Sequence, residues 1–298
     1  MICPYPVSIL NPVADASGFF DRMHVGCGKC GACKSNRRNE WSFRIMQEAK
    51  HSDYCHFITL TYHDSVVPMT ENGLLTLSKR DVQLFNKSLR KEQSKLTNQK
   101  YRFFCVGEYG TKFHRPHYHL ITFNLHPELA KPEVLLPIWW RGIVHMHPLD
   151  KGLTHYTTKY HVTTQEKERH LSYSDDRIDE FTIASNKPVE GSEYGGIGYR
   201  YIETHKQYHL STGNGYVRNN GYSQRMPRYY YRHIFEELPI EQKEVLRRSA
   251  AELVEKTEKK ELERLSKLGF QRPEIEYQRR LVAEAKNTVF KAKQKGRF

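Results

Sequence analysis

The stretch Phe103-Phe104-Cys105-Val106-Gly107-Glu108-Tyr109-Gly110, running on to Pro116-His117-Tyr118-His119-Leu120-Ile121-Thr122-Phe123, decides the fold. Two apolar runs, rich in aromatic and β-branched residues, flank a segment with glycine and proline, the pattern of a β-hairpin. Side chains alternate along a strand, so His117 and His119, two apart, share a face. Folding back places Glu108 beside them. Two imidazoles and one carboxylate can hold a metal ion and leave coordination positions open, as catalysis requires. With sixteen histidines in the chain, about one His-x-His pair is expected by chance. His145-Met146-His147 has the same spacing and no upstream glutamate in a hairpin. The signal therefore lies in the order strand, Glu, turn, His-x-His, strand.

The remaining strands and helices extend this core. Phe57-Ile58-Thr59-Leu60-Thr61-Tyr62 reads as a strand, and Gly142-Ile143-Val144-His145-Met146 as another. A helix is expected from about Asn39 to Lys50, with Trp41, Ile45, Met46 and Ala49 at helical spacing. A second opens at the capping pattern Ser78-Lys79-Arg80-Asp81 and runs to about Lys95, with Val82, Leu84, Phe85 and Leu89 on one face and Lys79, Arg80, Lys87, Arg90 and Lys91 on the other. The order strand, helix, strand, strand predicts an α+β fold, an antiparallel central sheet with flanking helices.

After a short helix expected at Gly152 to Val162, the chain to Tyr231 is polar and rich in tyrosine and glycine. Its landmarks are Gly195-Gly196-Ile197-Gly198 and Pro227-Arg228-Tyr229-Tyr230-Tyr231. The first is weak evidence for phosphate binding. The second suits base stacking or a tyrosine packing layer equally. Beyond Leu238-Pro239 the composition turns to Glu, Lys, Arg and Leu, predicting a charged helical appendage. The expected division is a Cys-rich segment at 1–40, a catalytic domain at 41–235 and the appendage at 236–298.

Of the six cysteines, Cys27, Cys30 and Cys33 form a tight run with Cys3 or His24 available as a fourth ligand. That spacing suits a structural zinc ion; reduced thiols and an iron–sulfur cluster stay open as alternatives. Forty-seven Lys and Arg against thirty-four Asp and Glu give a formal charge of +13, which favours a nucleic-acid partner. No apolar run approaches the roughly twenty residues of a membrane span, and the first residues lack a signal-peptide pattern. These features predict a cytosolic protein without a membrane partner.

Tyr156 and Tyr160 lie four apart, one helical turn, and Lys159 shares the face of Tyr156. With nineteen tyrosines such a pair is also expected about once by chance. Its meaning comes from combination with the metal motif. A phenol is a weak nucleophile at neutral pH because its pKa is near ten. It needs a phosphate activated by a divalent ion and a cation to steady the developing charge. Metal ligands, phenols and a lysine are the parts of a phosphotyrosine transesterase.

The set Phe57-Ile-Thr-Leu-Thr-Tyr62, Gly107-Glu-Tyr-Gly110, Arg115-Pro-His-Tyr-His119 and Tyr156-x-x-Lys-Tyr160 resembles the replication initiators of small single-stranded DNA phages. Within them it looks like the replication initiation protein of gokushovirus-type microviruses, in the HUH endonuclease superfamily. The Cys3 and Cys27 to Cys33 cluster and Pro227-Arg-Tyr-Tyr230 resemble that family as well, and the likeness covers about residues 1–235. It implies metal ligands His117, His119 and Glu108, nucleophiles Tyr156 and Tyr160, and Lys159 as their companion. It further implies Mg²⁺ or Mn²⁺, a 5′-phosphotyrosine intermediate, and rolling-circle replication in the host bacterial cytoplasm. Single-stranded DNA and viral replicative-form DNA at the origin would be the substrates, with host polymerase and helicase as partners. Tyr118 departs from the plain hydrophobic residue usual between the two histidines. The rival readings are a non-catalytic, metal-stabilised nucleic-acid-binding protein, an HUH transposase or relaxase, and, without support from the charge, a non-haem iron oxygenase.

Overall fold

A computed structural model describes residues 3–10, 22–110, 112–149, 176–188, 191–219, 221–236 and 238–269, with further helical positions at 277, 281–282, 284–285 and 287–289. The chain divides into two compact units, one of residues 38–210 and 216–234, the other of residues 1–37, 211–215 and 235–298.

The first unit is α+β and is built on a five-stranded antiparallel sheet, as the motif order predicts. Its strands are β3 (Cys55–Tyr62), β4 (Arg102–Tyr109), β5 (Pro116–Phe123), β6 (Gly142–Pro148) and β7 (Phe181–Ala184), in the spatial order β6-β3-β5-β4-β7. Each strand alternates between two apolar layers, which is why the sheet is buried on both sides. Ile58, Leu60, Tyr62, Cys105, Tyr118 and Leu120 face one layer; Phe57, Phe104, Val106, Ile121 and Phe123 face the other.

The first layer is covered by α2 (Lys79–Leu96) and α3 (Pro132–Trp139) through Val82, Phe85, Leu89, Leu135 and Trp139. Helix α2 begins where the capping pattern places it. The Ser78 hydroxyl accepts a hydrogen bond from the Asp81 N–H at 3.2 Å, satisfying one of the otherwise unpaired donors of the first turn. The second layer is covered by Ile45 of α1 (Gly31–Ala49) and by Ile197. Helix α1 starts eight residues before the expected Asn39. Gly31-Ala32-Cys33 forms its first turn, the Lys34 N–H donating to the Cys30 carbonyl at 3.0 Å, although in sequence this segment reads as an irregular cysteine loop.

The Gly195-Gly196-Ile197-Gly198 loop is a packing element. Arg102 and Glu48 form a buried ion pair at 2.6 Å, and both reach the loop. Arg102 Nη2 donates to the Gly196 carbonyl at 2.6 Å, and the Gly198 N–H donates to Glu48 Oε2 at 2.6 Å. Arg44 adds a bond to the Ile197 carbonyl at 3.0 Å and lies over the ring of Tyr229, 3.9 Å from its centroid. Gly198 has φ of +80°, and a Cβ there would collide with the Tyr230 hydroxyl, so only glycine suits this approach. The tyrosine-rich motif belongs to α5 (Arg228–Phe235), where Tyr230 is fully buried and Tyr231 exposed. Between them lie α4 (Arg200–Thr212) and the hairpin of β8 (Tyr216–Asn219) and β9 (Tyr222–Arg225).

The second unit contains the hairpin of β1 (Val7–Leu10) and β2 (Arg22–Val25), the cysteine cluster, and α6 (Ile240–Ser266), a mixed-charge helix as the composition predicts. The Gly31 N–H donates to Asn287 Oδ1 at 2.8 Å, tying the cysteine segment to the C-terminal helical residues. No helix among the described residues is long and apolar enough to cross a membrane.

Breaking a buried ion pair on one side leaves an uncompensated charge. Arg102→Leu, which strands the Glu48 carboxylate, is therefore expected to lower unfolding stability by about 3–5 kcal/mol in denaturant titration. Lys79→Ala, on the exposed side of α2, is expected to change it by less than about 0.5 kcal/mol.

Candidate metal centre

The antiparallel register of β4 and β5 sets Glu108 directly opposite His117 and Val106 opposite His119. Residues 110–115 close the hairpin, the Gly110 N–H donating to the Arg115 carbonyl and the His114 N–H to the Gly110 carbonyl, both at 2.9 Å. Glu108, His117 and His119 consequently project from one face, their ligand atoms all within 4.8 Å of one another. Glu108 Oε1 lies 2.7 Å from His117 Nε2 and 3.1 Å from His119 Nε2. Adjacent ligand atoms of an octahedral ion with ~2.1 Å bonds stand about 3 Å apart, so the three groups fit a hard divalent cation with little rearrangement.

The other ring nitrogens fix the orientation. The Arg115 carbonyl sits 3.1 Å from His117 Nδ1 and accepts its proton, leaving Nε2 aimed at Glu108. The Thr59 hydroxyl lies 3.1 Å from His119 Nδ1, and the Phe57 ring stacks on His119 with centroids 5.4 Å apart. Such partners hold an imidazole in one tautomer and tune its basicity. Thr59 is opposite His119 across β3–β5, a pairing that single-strand alternation does not reveal; the polar residues Thr59 and Thr61 within an apolar strand are its only trace. Arg115 is held in turn by Asp64 and the Tyr62 carbonyl.

Burial disfavours the Glu108 carboxylate, but hydrogen bonds from His117 and His119 outweigh it and its pKa is lowered. Burial likewise opposes the His117 cation, yet its bond to Glu108 prevails and its pKa is raised. Without an ion, the site stores a proton between imidazole and carboxylate. A metal has to displace that proton.

Tyr118, between the histidines, faces the opposite layer and is fully buried. Its hydroxyl lies 2.8 Å from that of Tyr62 and accepts from the Ser78 N–H at 2.7 Å, and Tyr62 donates to Asp81 Oδ2 at 2.8 Å. Burial pushes both phenol pKa values up, so neither is suited to nucleophilic attack. His145 stands opposite Thr59 on β6, on the same face as His119 but two strands away, roughly 10 Å at normal strand spacing. It is exposed and is not one of the three clustered ligands. Tyr156, Lys159 and Tyr160 lie outside the described residues.

A second cluster lies in the other unit. The sulfurs of Cys3, Cys27, Cys30 and Cys33 also fall within 4.8 Å of one another. Cys30 Sγ is 3.7 Å from Cys3 Sγ, close to the ~3.8 Å between thiolates on a tetrahedral zinc with ~2.3 Å bonds. The Cys27 N–H donates to Cys3 Sγ and the Cys30 N–H to Cys27 Sγ, each at 3.3 Å. Burial raises the Cys27 thiol pKa, but N–H groups of Cys30 and Lys29 and the neighbouring thiols outweigh it and bring it to about 7. Burial pushes Cys33 up to about 12, so a full set of thiolates needs a cation among them.

Residues 55–165 match a family model for replication-associated proteins of the ORF2 type. The chain is 28% identical to the replication-associated protein VP4 of Bdellovibrio phage phiMH2K over 223 residues, 68% of this chain and 65% of the relative. It is 35% identical to the replication-associated protein ORF2 of Spiroplasma virus 4 and 29% to ORF4 of Chlamydia phage 1. Those two matches span 102 residues each, 34% of this chain and 32% and 24% of the relatives. The chain thus spans just under two thirds of the first relative and a third or less of the others. No solved structure matches. The resemblance read from the motifs is borne out: the chain is similar to replication-associated proteins of phages.

Since one proton leaves when the metal enters, affinity should fall by about one log unit per pH unit below the raised His117 pKa and level off above it. Calorimetric titration with Mn²⁺ across the pH range checks this, and His117→Ala should abolish the binding.

Proposed function

We propose that the chain is a phage replication initiator, a metal-dependent endonuclease and strand transferase acting on single-stranded DNA. The observation that carries this reading is the Glu108–His117–His119 cluster on adjacent strands of the segment that matches the replication-associated family. Residues 41–235 would carry the reaction.

Mg²⁺ or Mn²⁺ held by His117, His119 and Glu108 would polarise the scissile phosphate. The Tyr156 phenol, losing its proton, attacks phosphorus. The bond from phosphorus to the 3′ oxygen breaks, and that oxygen takes up a proton as a free 3′-hydroxyl. The 5′ end stays linked as a phosphotyrosine, which conserves the bond for resealing. Tyr160 repeats the attack at the next junction, and Lys159 steadies the phosphate charge. These three assignments rest on the sequence and the family resemblance. The 3′-hydroxyl would prime the host polymerase in rolling-circle replication at the origin of the viral replicative form, with host helicase opening the duplex. The host bacterial cytoplasm is where these partners meet.

For the cysteine cluster we propose a structural zinc ion bound by Cys3, Cys27, Cys30 and Cys33. Metal analysis should give one zinc per chain, lost in Cys30→Ser together with a lowered melting temperature; a full zinc complement in that variant would remove the assignment.

The main test is a denaturing gel of the purified protein with circular single-stranded DNA, in Mn²⁺ and in chelator. A metal-dependent protein–DNA adduct is expected, absent from the Tyr156→Phe, Tyr160→Phe double variant. Binding without adduct on cognate DNA would favour a non-catalytic nucleic-acid-binding protein.

A further inference from the structure

The sheet end that carries Glu108 and His117 also presents two exposed aromatic rings that the metal chemistry does not use. Phe113, 74% exposed, lies in the loop joining β4 to β5, and Trp140, 63% exposed, follows α3 just before β6. They share this end because Tyr109 pairs with Pro116, Thr61 with His117 and Tyr62 with Gly142. Phe113 tops the two metal-bearing strands; Trp140 stands at the edge strand, two strands or ~10 Å aside.

The neighbouring Trp139 shows that this exposure is selective. Trp139 is fully buried and donates its indole N–H to the Thr61 carbonyl at 3.0 Å, whereas Trp140 points to solvent. Each exposed ring carries a cation. Lys112 Nζ is 5.1 Å from the Phe113 centroid, and the Arg141 guanidinium carbon is 4.2 Å from that of Trp140. The backbones are also unusual: His114 has φ of 49° and Trp140 φ of 34°, left-handed conformations that side chains rarely adopt. Trp140 occupies a left-handed helix cap, a position normally given to glycine.

Both rings sit on tethered backbone. Arg115 ties the first loop to Asp64 and the Tyr62 carbonyl. Arg141 pairs with Asp81 at 3.0 Å, and its carbonyl accepts from the His63 N–H at 2.7 Å. A large ring held in water at a conformational cost, with a cation beside it, suits an occupant that is flat, apolar on its faces and negatively charged along its backbone. Unstacked nucleobases of single-stranded DNA meet that description, and the chain's formal charge of +13 complements their phosphates.

We infer that Phe113 and Trp140 are two base-stacking platforms for single-stranded DNA, gripping the strand at the end of the sheet that bears the metal ligands. This subsite rests on the proposed function for its substrate class. Duplex DNA, whose bases are already stacked, would not engage it.

The test uses the full chain, a labelled thymidine oligonucleotide and a counterpart with abasic sites, at one fixed salt concentration. Phe113→Ala and Trp140→Ala are each expected to weaken binding of the thymidine strand about tenfold, with the abasic strand little affected. Phe113→Tyr and Trp140→Phe should retain it, and Mn²⁺ affinity should be unchanged throughout. Equal binding of thymidine and abasic strands by the wild type, or alanine variants that bind like wild type, would overturn the inference. Should the alanine variants fail to fold, the wild-type comparison of the two strands decides. Covalent adduct formation separates the two ideas. Adduct without any stacking dependence sinks the platforms alone, and stacking dependence without adduct sinks the transesterase alone.

Discussion

The hydrogen-bonded register between β4 and β5 is the constraint on which the rest depends. Because antiparallel strands pair residue by residue, placing Glu108 opposite His117 also determines that Val106 meets His119 and that all three polar groups share one face. A slip of one residue would send both imidazoles into the apolar layer that Tyr118 and Leu120 occupy. Burial on both sides of the sheet makes such a slip costly. The core therefore maintains the metal geometry without any side chain dedicated to it.

Tyr118 shows how the two faces are coupled. A phenol between the two histidines must bury its hydroxyl on the reverse layer, and a buried polar group needs partners. It finds them in Tyr62 and in the backbone around Ser78, at the start of α2, while Tyr62 passes the chain of bonds to Asp81 and thence to Arg141. The start of one helix, two central strands and the segment entering the edge strand are thus joined behind the site. On the other layer, Glu48 and Arg102 do the corresponding work for the glycine loop at 195–198. Its glycines resemble a phosphate cradle in sequence, yet carboxylate, guanidinium and tyrosine groups of the protein already occupy their donors, acceptors and space.

Much of this was legible from the residues. The hairpin, the strand at Phe57 to Tyr62, helix α2 with its Ser78 cap, and the α+β class all follow from periodicity and turn chemistry, which are local properties. Three segments were not legible. Helix α3 contains Pro132 and Pro137, which speak against a helix although the first falls at a tolerated N-terminal position. Strand β7 has four residues and exists through its pairing with β4. The Gly31–Ala49 helix begins inside a cysteine run whose spacing suggests a loop. The kinship with phage replication-associated proteins was likewise readable, because it rests on short motifs in a given order.

What the sequence determined alone was which groups are available and how neighbours along one strand or turn are disposed: two imidazoles on one face, a carboxylate before the turn, four thiols, two spaced phenols. What only the tertiary structure decided was which distant groups meet. Thr59 reaching His119, Arg102 locking the glycine loop, Tyr118 bonding to the start of α2, and one tryptophan of a Trp-Trp pair buried while the other faces solvent all depend on pairings across dozens of residues. Those pairings are selected by the packing of the whole core, and no local pattern encodes them.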